Sequence, residues 1–174
     1  MKYQNCTAAA QAPDARPDAA MAAAQRYSDA NINPATGLAS DYLNHFNEAI
    51  MVLDMLPSFP DGRAEFLEWR PMTYREHFAA SRFKGRDLAI AAYEAADPAL
   101  RSRLDGLAAT MTAMLEAMRA VMQSDLPPDV AGELAVRAAT ALKPLVTRAG
   151  AVINGADPDI PQAPQTVVDG LMMR

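Results

Sequence analysis

Along the middle of the chain, apolar residues recur at intervals of three and four and nowhere in a sustained two-residue alternation, which predicts helices and no sheet. The clearest run is Leu100, Leu104, Leu107, Met111, Met114, Met118 and Val121, a heptad seam that Leu115 and Met122 widen. At about 1.5 Å per residue, Pro98 to Gln123 would span roughly 39 Å, long enough for the spine of a bundle. Asp97 and Pro98 open this helix, an N-cap followed by a proline whose missing N–H is not needed there.

Upstream, Ser40 reads as an N-cap with Asp41 in the first turn, and Tyr42, Phe46, Ala49, Ile50, Leu53 and Leu56 form an amphipathic stripe that Pro57 ends. A short helix over Arg63 to Trp69 would bring Phe66, Leu67 and Trp69 to one end of the core. Thr73 and Glu76 form a capping box, starting a helix expected to reach about Ala96. Gly85 should either mark a close helix contact or break that helix in two. After Pro127 and Pro128, Val130, Leu134, Ala138, Ala141 and Leu145 restart the helical period, and Pro144 should kink the helix or end it early.

The two ends differ from this middle. Residues 1–37 combine alanine with Pro13, Pro17 and Pro34 and read as a flexible leader, in which Asp18 to Asp29 offers only Met21 and Tyr27 as bulk. Residues 156–174 read as an extended tail with Pro158, Pro161 and Pro164, closed by Val167, Val168, Leu171 and Met172, which could form a short partner-docking helix. The expected architecture is therefore all-α: one domain over residues 38–155, an antiparallel helical bundle of four or five helices, with a leader and a Pro-rich tail.

Composition sharpens this picture. Of 174 residues 51% are apolar, but 37 are alanine, and Leu, Ile, Val and Phe together number only 33. Such a chain must build its core from closely approaching helices, with 11 methionines as filler. No charge-free apolar stretch is long enough for a membrane span, and Met1 to Thr7 lacks the pattern of a secretory signal, so a cytoplasmic location is expected. The single cysteine, Cys6, excludes an internal disulfide. A net charge of −5 argues against nucleic acid as the partner.

Candidate chemistry centres on the two histidines. Asp41, His45 and Glu48 share one edge of a helix at i, i+4 and i+7, and Glu76 and His77 lie in the first turn of another. If those helices pack, the five side chains could hold a divalent metal, Zn, Fe or Mn. The single His-x-x-Glu order departs from the paired Glu-x-x-His motifs of two-metal bundles, and solvent, boundary and capping roles account for the same residues. Histidine phosphotransfer fits poorly, because Lys84 and Gly85 follow His77 by seven and eight residues.

Charge is also segregated: Asp41 to Glu68 holds six acids and one base, while Arg70 to Asp87 holds five bases and two acids. Arg70, Arg75, Arg82, Lys84 and Arg86 could form a strip for an anion or an acidic partner, or simply a solvated face. No nucleophile motif, phosphate-cradling loop or dinucleotide fingerprint occurs, so a non-enzyme is expected. The leading expectation is a protein that works by binding a protein partner or itself, with a metal- or small-ligand-binding bundle using His45 and His77 as the alternative and no other cofactor expected.

Overall fold

The computed structural model describes residues 16–156, which form seven α-helices, a 3-10 turn and no strand. The helices are α1 (Arg16–Asp29), α2 (Asn44–Met55), α3 (Gly62–Glu68), α4 (Tyr74–Ala80), α5 (Arg86–Ala95), α6 (Pro98–Gln123) and α7 (Pro128–Ile153), with the 3-10 turn at Ser40–Leu43. The all-α expectation holds, but the count is seven and not four or five. None of these helices is long and apolar enough to cross a membrane. Cys6 and the proposed docking residues Val167, Val168, Leu171 and Met172 lie outside the described residues.

The extra helices have local causes. Instead of capping a helix, Ser40 enters the 3-10 turn, whose N-cap is Ala39, and the α-helix begins four residues later. The Thr73 box forms as its residue types dictate: the Thr73 hydroxyl accepts from the Glu76 N–H, and the Glu76 carboxylate accepts from the Thr73 N–H. That helix ends at Ala80, and Ser81, in extended backbone, takes over the last turn by donating its hydroxyl to the Phe78 carbonyl. Gly85 then precedes α5; a Cβ there would lie 2.8 Å from the Phe83 ring and 3.0 Å from the Ala30 side chain. The glycine thus marks both a break and a close contact.

Helices α2, α6 and α7 enclose the centre of the core, with α7 packed along both of the others. On α6 the fully buried line is Leu104, Ala108, Met111, Leu115, Met118 and Met122; Leu100, Leu107, Met114 and Val121 flank it half-buried. On α7 the buried line is Ala131, Ala135, Ala139, Leu142, Ala149 and Val152, one position away from the expected stripe, and Val130 and Ala141 face solvent. The small side chains let the helices approach closely: an ideal Cβ on Gly132 would stand 3.4 Å from Pro57. Pro144 lies exposed inside α7, which continues to Ile153 instead of ending early.

The junction of α6 with its neighbours is closed by Arg63 of α3. Its Nε donates to the Met122 carbonyl at 2.7 Å and an Nη to the Ser124 carbonyl at 3.0 Å, placing a cation on the negative end of the α6 dipole. An ion pair of 2.6 Å between Lys143 and Asp54 links α7 to α2.

Core residues flank the expected boundary at residue 37, Ala30 and Ile32 before it and Leu38 and Ala39 after it, and Thr36 is buried with its hydroxyl donated to the Ile153 carbonyl at 2.6 Å. Asn33 holds this loop by accepting from the N–H groups of Ala35 and Thr36, and Gly37 turns it at φ +71°, where an added Cβ would stand 3.0 Å from the Ala92 carbonyl oxygen. Helix α1 before it leaves Met21 exposed, in line with the scarcity of bulk there.

Candidate functional site

The 3-10 turn, in contact with both α2 and α4, brings the two histidines together. Their ring centroids are 6.0 Å apart, and His45 is only 3% exposed. Trp69 stacks on His45 at 4.8 Å with a 21° interplanar angle and donates its indole N–H to the His45 carbonyl at 3.0 Å. Phe46 meets His45 edge-on, and Tyr42 and Phe78 meet His77 in the same way. Burial first, and the neighbouring His77 second, push His45 down to about 4. His77 is also lowered by burial, against the opposing pull of Glu48, Asp41 and the Asp41 backbone. Both rings are therefore neutral at pH 7, and Nε2 of His45 is buried without a hydrogen-bond partner.

The three carboxylates of the expected metal set do not cluster with the two rings. Glu76 is exposed and its Oε2 is engaged by the Thr73 N–H and hydroxyl, both at 2.8 Å; these bonds hold its carboxyl below the ordinary range. Glu48 faces solvent, and Asp41 stays half-buried in the 3-10 turn. Among the described residues no three His, Cys, Asp or Glu side chains converge closely enough to hold a metal ion.

The basic residues are spread over the connection before α4, α4 itself, the connection after it and α5, and three are engaged within the chain. Arg75 pairs with Glu94 at 3.1 Å, Arg70 donates to the Leu67 and Trp69 carbonyls, and Arg86 lies 3.6 Å from Asp87. Arg82 and Lys84 are exposed on the connection.

Two surface features were not singled out from the sequence. The first is a cleft of about 610 Å³ walled by Tyr42, Tyr74 and Tyr93, with Ala108 and Ala109 of α6 opposite and Glu76 and Asp105 among its polar lining. Tyr74 and Tyr93 stack at 4.4 Å, and the Tyr93 hydroxyl donates to the Asp105 carboxylate, 2.7 and 2.8 Å from its oxygens. Tyr42 donates to the Met72 carbonyl, and the Tyr74 hydroxyl accepts the Ala39 N–H. Burial raises all three phenols, Tyr93 to about 12, so they act as neutral donors and acceptors. The second is a groove of about 720 Å³ between the end of α2 and the start of α7, lined by Leu56, Pro57, Pro60, Pro128, Val130 and Val136.

No family model matches this chain, and no curated protein and no solved structure is significantly similar to it.

Proposed function

We propose that this chain is a cytoplasmic, non-enzymatic interaction protein whose working surface is the outer face of α2 and the start of α7, and that its occupant is a second copy of the same chain. One observation carries the reading. Six large apolar side chains are exposed among the described residues, and five of them, Met51, Met55 and Phe59 at about half and Val130 and Val136 at over a third, belong to this region. Met51 and Met55 are one helical turn apart, and the Phe59 N–H returns to the Met55 carbonyl, so the three form a ridge. Its helix end supplies Leu56, Pro57 and Pro60 to the groove, whose far wall carries Val130 and Val136.

An apolar cluster of this kind marks an interaction surface more often than a bare monomer face. The charges favour a self-complementary partner: Glu133 and Arg137 lie one turn apart on the groove, so a twofold arrangement can set each against its opposite on the other copy. Sedimentation equilibrium over rising concentration should then show a monomer–dimer equilibrium, abolished by Val136→Glu with helical content unchanged. Glu133→Arg and Arg137→Glu should each weaken it, and mixing the two variants should restore association. A full chain that stays monomeric at high micromolar concentration would overturn the reading. The alternative, a ligand- or metal-binding bundle centred on His45 and His77, has the unpartnered Nε2 of His45 in its favour and lacks converging carboxylates.

A further inference from the structure

The tyrosine-walled cleft lies apart from the proposed docking face and shares no lining residue with it. At about 610 Å³ it falls in the size range of small-molecule sites, and its apolar lining with a few polar groups is their usual chemistry. Among the described residues, its one lining cation is engaged by a neighbouring carboxylate. Arg75, the basic residue of the lining, is paired with Glu94 at 3.1 Å. The two lining carboxylates receive only neutral donors: Asp105 takes the Tyr93 hydroxyl, and Glu76 takes the Thr73 N–H and hydroxyl. Each carboxylate can accept several hydrogen bonds, so both keep capacity for a ligand donor.

The Arg75 and Arg101 charges reach the Tyr93 hydroxyl, while the two carboxylates of the lining outnumber its one cation. Tyr74 and the Arg101 guanidinium, 5.7 Å from the Tyr93 centroid, occupy the surroundings of the Tyr93 ring, and Tyr42 and Ala108 are buried, which leaves Pro71, Met72 and Ala109 as the accessible apolar lining. The negative fields of Asp105 and Glu76 both reach the Tyr42 hydroxyl and add to the burial that keeps it protonated.

We infer that this cleft binds a small organic cation, an amine carried on an apolar body, with its ammonium between Asp105 and Glu76 and its body against Pro71, Met72 and Ala109. Such a ligand satisfies the two carboxylates with charge-assisted hydrogen bonds and covers apolar wall, whereas an anion of the same shape would meet two like charges. The site is independent of self-association, so the two readings can fail separately.

Three probes of matched size separate charge from shape: phenethylamine, 2-phenylethanol and 3-phenylpropanoate, each titrated into the full chain at pH 7 and followed by tyrosine-ring NMR and calorimetry. The amine should shift the Tyr42 and Tyr93 resonances and bind about fivefold more tightly than the alcohol, the strength of a solvent-accessible charge contact. The carboxylate should not bind. Asp105→Asn keeps an acceptor for the Tyr93 hydroxyl and should reduce the amine to the affinity of the alcohol. Ala109→Phe, at an exposed position on α6, should fill the cleft and block both without disturbing the fold. The proposal is overturned if the amine causes no saturable shift, if the carboxylate binds as well as the amine, or if Ala109→Phe leaves amine binding intact.

Discussion

Replacing His45 by phenylalanine isolates the energetic consequence of burying an imidazole between Trp69 and His77. In the folded protein the ring titrates near 4, whereas its ordinary value is 6.5. The unfolded chain therefore takes up a proton first as pH falls, and stability drops in the window from about 6.5 down to about 4. The folded pKa is the depressed one, so this contribution is intact at neutral and higher pH and is lost on acidification. Integrating the proton uptake with these two values gives a loss of about 2 kcal/mol between pH 7 and pH 5, and about 3 kcal/mol by pH 4. Phenylalanine keeps a flat ring against Trp69, removes the unpartnered Nε2 and cannot titrate. Urea unfolding of both proteins at pH 7, 6, 5 and 4 measures the difference, in which the carboxylates and the separately lowered His77 largely cancel. The variant should become progressively more stable than the parent as pH falls. If the two stability curves stay parallel within about 0.5 kcal/mol, His45 is not held neutral and the burial argument fails.

Two further outcomes follow from local geometry. Gly37→Ala places a Cβ 3.0 Å from the Ala92 carbonyl at φ +71°, so thermal unfolding should show a loss of about 1–2 kcal/mol, whereas Gly106→Ala, with nothing within 4 Å in mid-α6, should gain about 1 kcal/mol from helix propensity. Because the carboxylates do not converge on His45 and His77, equimolar Zn(II), Mn(II) or Fe(II) should leave the melting temperature unchanged at pH 7; a clear stabilisation lost on His45→Phe would show that metal binding assembles the set.

On α2 and α6 bulky residues mark the buried face, whereas on α7 they mark its edge, and that difference explains which parts of the chain were legible. Boundaries written in backbone chemistry came through: the Thr73 and Glu76 box and the Asp97–Pro98 start are where their residue types place them. On α7, however, Val130, Leu134 and Ala138 define a stripe one residue away from the buried line, because Ala131, Ala135 and Ala139 hold the interface through close approach and contribute no bulk to the pattern. The spacing of small residues at i, i+4 and i+8 was the available signal. Ile32 and Leu38 were obscured by neighbouring proline, asparagine and glycine, which build a turn that enters the core. The tyrosine cleft could not be read from periodicity at all. Its walls come from the 3-10 turn, α4 and α5, and each tyrosine taken alone is an ordinary half-apolar helix residue. What joins them is the break from Ser81 to Gly85, which frees α5 from α4 so that Tyr93 can stack on Tyr74 and reach Asp105. The glycine was visible in the sequence, whereas the direction in which the chain turns after it depends on Phe83 and Ala30 packing against that position in three dimensions.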